Sequence, residues 1–178
     1  MITLRVFGNT FVFIASVLMT QVVAAQSAAQ SAAPQAKAKG AAASGAAAIE
    51  RGRYLVRITG CNDCHTPGYA QSGGKLPEKQ WLTGDALGYR GPWGTSYPGN
   101  LRLRLNQLTE DQWVKLAKST EYRPPMPWFA LRDMSAQDLR ALYRFVKHLG
   151  AAGESAPAYL PPGQEPRGPV VQFPQPPK

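Results

Sequence analysis

The sequence predicts an all-α fold of about three main helices with long loops, and two observations indicate it. Three segments place apolar residues at helical spacing, whereas the chain as a whole shows no strong strand pattern. The run between the first two helices, residues 60–108, is nearly fifty residues long and rich in glycine and proline. So long a loop is tolerable in a compact domain only if something other than protein fills the core beneath it.

Each predicted helix has a recognisable boundary. The first is expected from about Ala46 to Thr59, with a partial apolar face. The second follows Thr109, which is spaced to form a capping box with Gln112. The third and clearest begins after Ser135, ends before a glycine, and carries its apolar residues at helical spacing: Leu139, Leu142, Tyr143, Val146 and Leu149.

The chain is expected to divide into four segments. Residues 1–25 combine Arg5, an apolar run and small residues before Gln26, which is typical of a signal peptide or of an uncleaved N-terminal anchor. Residues 26–48, with 12 Ala among 23 residues, are predicted to be a flexible linker. Residues 49–150 are the folded domain, which at 102 residues can bury one modest core and excludes two-domain enzymes. Residues 151–178 hold 8 of the 16 prolines and form a tail.

The formal net charge is +9, from 20 basic and 11 acidic residues. Because the N-terminal segment predicts export, we expect a periplasmic domain, soluble or tethered by its N-terminus, and nucleic acid is a poor explanation for the charge. An acidic protein partner fits better. Lys75 and Lys79 are candidates for steering such a partner, although an ordinary solvated charge is the simpler explanation of each.

The two cysteines of the chain, Cys61 and Cys64, are followed at once by His65. This C-x-x-C-H run is the attachment signature of a c-type haem. Two cysteines three positions apart can each add to one vinyl group of the porphyrin, and the adjacent histidine can then bind the iron. A covalent haem would also supply the core that so short a domain lacks.

Three other interpretations of these cysteines remain open. An exported protein offers the redox environment for a structural disulfide between Cys61 and Cys64. A thioredoxin-like redox pair would need a βαβ setting, which the sequence does not predict. A zinc site would need four ligands, and beyond the cysteines only His65 and His148 are histidines.

A haem that transfers electrons without binding substrate needs a second axial ligand, and methionine is the usual one. Met126 lies among three prolines, Arg123-Pro-Pro-Met-Pro, which restrict the backbone without a helix. Met134 precedes the Ser135 cap, where an apolar residue commonly packs on the fourth helical residue. We therefore expect Met126 to be the ligand. His148, in the last turn of a helix, is explained by the helix dipole.

The motifs of residues 49–150 occur in an order that resembles a class I cytochrome c domain, of the type found in cytochrome subunits of bacterial alcohol and gluconate dehydrogenases. The matching runs are Gly-Arg-Tyr-Leu at 52–55, Cys-Asn-Asp-Cys-His-Thr-Pro at 61–67, Gly-Pro-Trp-Gly-Thr-Ser-Tyr-Pro-Gly-Asn-Leu at 91–101, Pro-Met-Pro-Trp at 125–128 and Met-Ser-Ala-Gln-Asp-Leu at 134–139. Unlike those three-domain subunits, this chain has one haem motif.

The resemblance implies a class I cytochrome c fold around one covalently bound haem c, with iron bound by His65 and Met126. It also implies that the first and last helices cross at Gly52, opposite Leu142 or Tyr143. Residues 91–100 would shield the haem edge and offer hydrogen bonds to its propionates. A proline carbonyl would accept a bond from the His65 ring, and Pro77 is the candidate on spacing.

The predicted function is single-electron transfer between exported redox proteins in a respiratory or dehydrogenase-linked chain, without enzymatic activity of its own. The expected partners are a periplasmic dehydrogenase, an oxidase or another cytochrome. The alternative is a haem enzyme or sensor, which needs an open or displaceable sixth iron site. The tail is either a docking arm or a passive wrap that uses Tyr159, Val170, Val171 and Phe173 as contacts.

Overall fold

The structure is a computed structural model and describes residues 44–174. The predicted signal peptide, most of the predicted linker and the last four residues lie outside the described residues. Within 44–174 the chain forms six α-helices, one short 3-10 helix and a three-stranded mixed sheet, with about 45% helix and 8% strand. No helix among the described residues is both long enough and apolar enough to cross a membrane.

The all-α prediction is therefore wrong, because the long loop expected over residues 60–108 contains strands and further helices. Its elements are helix α2 (Cys61–His65), the 3-10 helix (Glu78–Gln80), strands β1 (Gly88–Gly91) and β2 (Gly94–Ser96), and helix α3 (Leu101–Asn106). The sequence did not indicate these strands because β1 and β2 are only four and three residues long and contain glycines. Strands this short carry no readable alternation.

The three helices predicted from periodicity are present. Helix α1 covers residues 44–58, which includes the end of the predicted linker. Helix α4 (Glu110–Ser119) begins with the predicted capping box between Thr109 and Gln112. Helix α6 (Ala136–Leu149) is capped by the Ser135 hydroxyl, which accepts a bond from the Asp138 amide, and ends at Gly150. A further short helix, α5 (Trp128–Asp133), follows the proline run.

Helices α1 and α6 cross at Gly52, as the resemblance implies, but on different partners. A Cβ at Gly52 would lie 2.1 Å from the Ala141 carbonyl oxygen and 2.7 Å from Phe145 Cβ, so the contact is with neither Leu142 nor Tyr143. Phe145 is fully buried and packs edge-on against Trp81, with ring centroids 6.2 Å apart. The crossing therefore sits at the centre of the hydrophobic core.

The proline-rich tail wraps the domain, as one of the two interpretations of the tail predicts. Strand β3 (Val170–Gln172) pairs in parallel with β1, and β1 pairs antiparallel with β2, which gives the order β2-β1-β3. Farther back in the tail, Leu160 forms an antiparallel bridge with Thr95 of β2. Strands more than seventy residues apart in sequence thus meet in one small sheet.

Candidate functional site

A cavity of about 470 Å³ opens into the core between α2, the segment after β2, and the proline run before α5. This volume lies within the usual range for sites that hold a small molecule or cofactor. The cavity brings together all four predicted site residues: Cys61, Cys64, His65 and Met126. It is mainly apolar, with walls that include Leu82, Leu105, Trp113, Leu142 and Val146.

The backbone around the C-x-x-C-H run holds the three residues in place. Gly60 precedes helix α2 as its N-cap and has a φ of 72°, which glycine adopts without strain. The Thr66 hydroxyl donates to Asn62 Oδ1 at 2.8 Å and accepts from the Leu82 amide at 2.8 Å. These buried bonds fix the short helix against the loop that follows it.

The His65 ring is oriented by a backbone carbonyl. Its Nδ1–H donates to the Gly99 carbonyl oxygen at 2.7 Å, which leaves Nε2 as the nitrogen with a free lone pair. The prediction that the Pro77 carbonyl accepts the bond from the His65 ring is wrong, because the ring donates to Gly99. The Pro77 carbonyl accepts the Gln80 amide instead. Burial holds the pKa of His65 below its ordinary value, against the opposing effect of the Gly99 bond. The ring is therefore neutral at neutral pH, which is the form that binds metals.

The two cysteines are free thiols in the structure rather than a disulfide. Burial raises the pKa of the Cys61 thiol, although the Thr59 hydroxyl lies 3.3 Å from its sulfur and opposes the shift. A thioredoxin-like pair needs a lowered thiol pKa, so this environment does not favour that interpretation. Cys64 contacts the Tyr89 hydroxyl; burial and this contact together raise the pKa of Tyr89.

The zinc interpretation lacks a donor set among the described residues. Within residues 44–174, no three His, Cys, Asp or Glu side chains converge in a way that could hold a metal ion. His148, the remaining histidine, does not line the cavity. The side chains on the cavity wall that could bind a metal are therefore those of the C-x-x-C-H run and the two methionines.

Both methionines of the domain line the cavity. Met126 lies in the proline run, where its amide donates to the Arg123 carbonyl at 3.2 Å and its carbonyl accepts from the Trp128 amide at 2.9 Å. Met134 is the residue after α5, packs against the hydrophobic core, and accepts a bond from the Lys118 ammonium group at its carbonyl. The structure brings Met134 to the same cavity, a position that its predicted packing role does not require.

The charge of the cavity wall is positive. The described residues that line it include Arg104 and Arg123, both exposed at the rim, and no Asp or Glu. In addition, the buried Ser96 hydroxyl, which also lies on the wall, has no hydrogen-bond partner among the described residues. An apolar cavity with two rim cations and an unpaired hydroxyl suits a large apolar ligand that carries anionic groups.

Some wall residues were predicted and others were not. Of the residues 91–100 expected to shield the site, Ser96 to Asn100 line the cavity. Residues 91–95 belong to the β1–β2 hairpin and do not line it. Tyr89, Arg104, Trp113 and Tyr159 are wall residues that sequence reasoning did not place there. Lys75 and Lys79 are exposed and lie outside the wall.

Comparison with known protein families, curated protein sequences and solved structures finds no match to this chain.

Proposed function

We propose that this chain is a monohaem c-type electron-transfer protein of the periplasm. The observation that carries the proposal is the convergence of Cys61, Cys64, His65 and Met126 on one apolar cavity with cations at its rim. A haem fits the cavity's chemistry: its porphyrin is apolar, its two carboxylates suit Arg104 and Arg123, and its iron takes nitrogen and thioether ligands.

The protein's part in this function is to hold the haem, to orient the residues that bind it and to exclude water from the site. Cys61 and Cys64 would attach the porphyrin covalently, and His65 Nε2 and Met126 Sδ would bind the iron. When bound, the haem supplies one-electron oxidation and reduction at its iron. The bond from His65 Nδ1 to the Gly99 carbonyl orients the imidazole, and the backbone bonds of Met126 fix the loop that carries its side chain.

A redox protein with an acidic surface is the proposed partner. The chain carries a net charge of +9, and Arg104 and Arg123 lie at the rim where electrons would enter or leave. Attraction of this kind raises the association rate more than the affinity and weakens with salt.

The test is the visible absorption spectrum of the oxidised protein in two matched variants. Since Met126 is the proposed ligand, Met126→Ala should abolish the weak far-red band of methionine–iron bonding. Met134→Ala removes the other methionine on the same cavity and should keep the band. Loss of the band in Met134→Ala and its retention in Met126→Ala would contradict the ligand assignment. A high-spin spectrum in the unmodified protein would favour an enzyme or sensor with an open iron site.

A further inference from the structure

The C-terminal tail is held to the domain by several independent contacts on the β1–β2 hairpin. Strand β3 pairs with β1, and the Phe173 amide donates to the Arg90 carbonyl at 2.7 Å. Phe173 packs against the Trp93 ring, with centroids 5.3 Å apart. Glu165 forms a bidentate ion pair with the Arg90 guanidinium at 2.5 Å. These contacts fix the far end of the tail, and closer to its start Tyr159 lies on the cavity wall.

The beginning of the tail lies against the loop that orients His65. Asn100 Nδ2 donates to the Ala152 carbonyl at 2.8 Å and to the Glu154 carbonyl at 3.0 Å. Asn100 directly follows Gly99, whose carbonyl accepts the His65 Nδ1–H. The tail is therefore one residue removed from the carbonyl that sets the orientation of the proposed histidine ligand.

A few residues farther on, the tail reaches the Met126 side. The Arg123 guanidinium lies over the Tyr159 ring, 3.9 Å from its centroid, and Arg123 has no carboxylate partner among the described residues. The Tyr159 hydroxyl donates to the Trp93 carbonyl at 2.6 Å, which ties the ring to the hairpin. Because the Arg123 carbonyl accepts the Met126 amide, this cation–π contact holds the residue on which the Met126 loop closes.

We propose that residues 151–174 act as a strap that braces the loops of both proposed iron ligands, with Tyr159 as the positioning residue for Met126. The proposal rests on the proposed function only for the role of the loops. The bracing itself follows from contacts within the chain. A tail attached at both ends of its path resists opening of the cavity, since Tyr159 also forms part of the cavity wall.

The strap is tested by hydrogen exchange of the Met126 and Trp128 amides in the full-length protein. Tyr159→Leu removes the ring beneath Arg123 and should speed exchange at both amides by roughly tenfold. Tyr159→Phe keeps the ring under Arg123 but loses the hydroxyl bond to the Trp93 carbonyl, so exchange at both amides should lie between the values of Tyr159→Leu and the unmodified protein. The Leu139 amide, which bonds at 3.0 Å to the carbonyl of the α6 N-cap residue Ser135 and belongs to a fully buried residue, is the reference outside the strap and should not change.

Val171→Ala is the matched control, because it shortens an exposed side chain of the same tail on strand β3. It should leave the Met126 and Trp128 amides unchanged. Equal exchange in Tyr159→Leu and the unmodified protein would overturn the proposal, as would a rise shared equally by Leu139. These readings hold whether or not a haem is present, so they separate the strap from the proposed function.

A second readout uses the haem-loaded protein with imidazole as the probe. If the strap holds Met126, Tyr159→Leu should bind imidazole at least several times more tightly than the unmodified protein, with Val171→Ala unchanged. Identical imidazole affinity in all three proteins would contradict the positioning role. Failure of the chain to carry haem would contradict the proposed function instead.

Discussion

Arg102 is a buried cation whose guanidinium bonds to main-chain carbonyls. Its side chain is 5% exposed, and it donates to the Gly150 carbonyl at 2.6 Å, to the Lys79 carbonyl at 2.8 Å and to the Leu149 carbonyl. The first and last of these are orphan carbonyls at the end of α6, where a helix dipole favours positive charge. One residue thus joins α3, the 3-10 segment and the C-terminus of α6.

Arg102→Met should lower the free energy of unfolding by about 3 kcal/mol, because three carbonyls lose the donor that a buried side chain supplies. Arg167→Met is the matched control at an exposed arginine outside the cavity wall, where the side chain should contribute less than about 0.5 kcal/mol. Urea denaturation of the two variants is the measurement. Equal losses would show that Arg102 contributes no more than a surface arginine.

At the scale of elements, the α1–α6 crossing depends on a residue without a side chain. Gly52→Ala would place a Cβ 2.1 Å from the Ala141 carbonyl oxygen. That oxygen belongs to the backbone of α6, which cannot shift without moving the helix. We expect a loss of about 3 kcal/mol by thermal or urea unfolding, with the helices forced apart.

Gly45→Ala gives the contrast on the same helix. A Cβ there meets nothing within 4 Å, and alanine is the better helix former, so stability should stay equal or rise by up to about 1 kcal/mol. A Gly52→Ala protein as stable as Gly45→Ala would mean that α1 and α6 do not cross as closely as described.

The elements that could be predicted are those with local signals. Helix α6 has a serine cap, five apolar residues in phase and a terminal glycine, all readable within sixteen residues. By contrast, α3 reads Leu-Arg-Leu-Arg-Leu-Asn, an alternation that resembles a strand more than a helix. It becomes a helix because the Asn100 side chain accepts the Leu103 amide and because Arg102 and Leu105 turn inward.

The sheet could not be predicted, since its strands carry almost no pattern of their own. They hold together through pairing with residues far along the chain, Tyr89 with Val171 for instance. For the same reason the sequence predicts Tyr159 as a tail contact but not as part of the cavity wall. Long-range pairing of short segments leaves little trace in a single sequence.

At the scale of the whole molecule, the four candidate site residues could be named from the sequence because each belongs to a short local motif. The Cys-x-x-Cys-His run and the proline-flanked Met126 lie some sixty residues apart, and the fold brings both to one cavity. The groups that contact these side chains and their loop were not predictable: the Gly99 carbonyl at His65 and the Tyr159 ring at Arg123 depend on loops that only the tertiary structure positions.

The measurement that tests the account most directly is the visible spectrum of the purified full-length chain, before and after denaturation. A low-spin haem absorption that stays with the polypeptide after unfolding is the predicted result, with one haem per chain. In a Cys61→Ala, Cys64→Ala double variant, any absorption should separate from the unfolded chain. A protein produced in a host with haem-attachment machinery that shows no bound haem would contradict the proposed function.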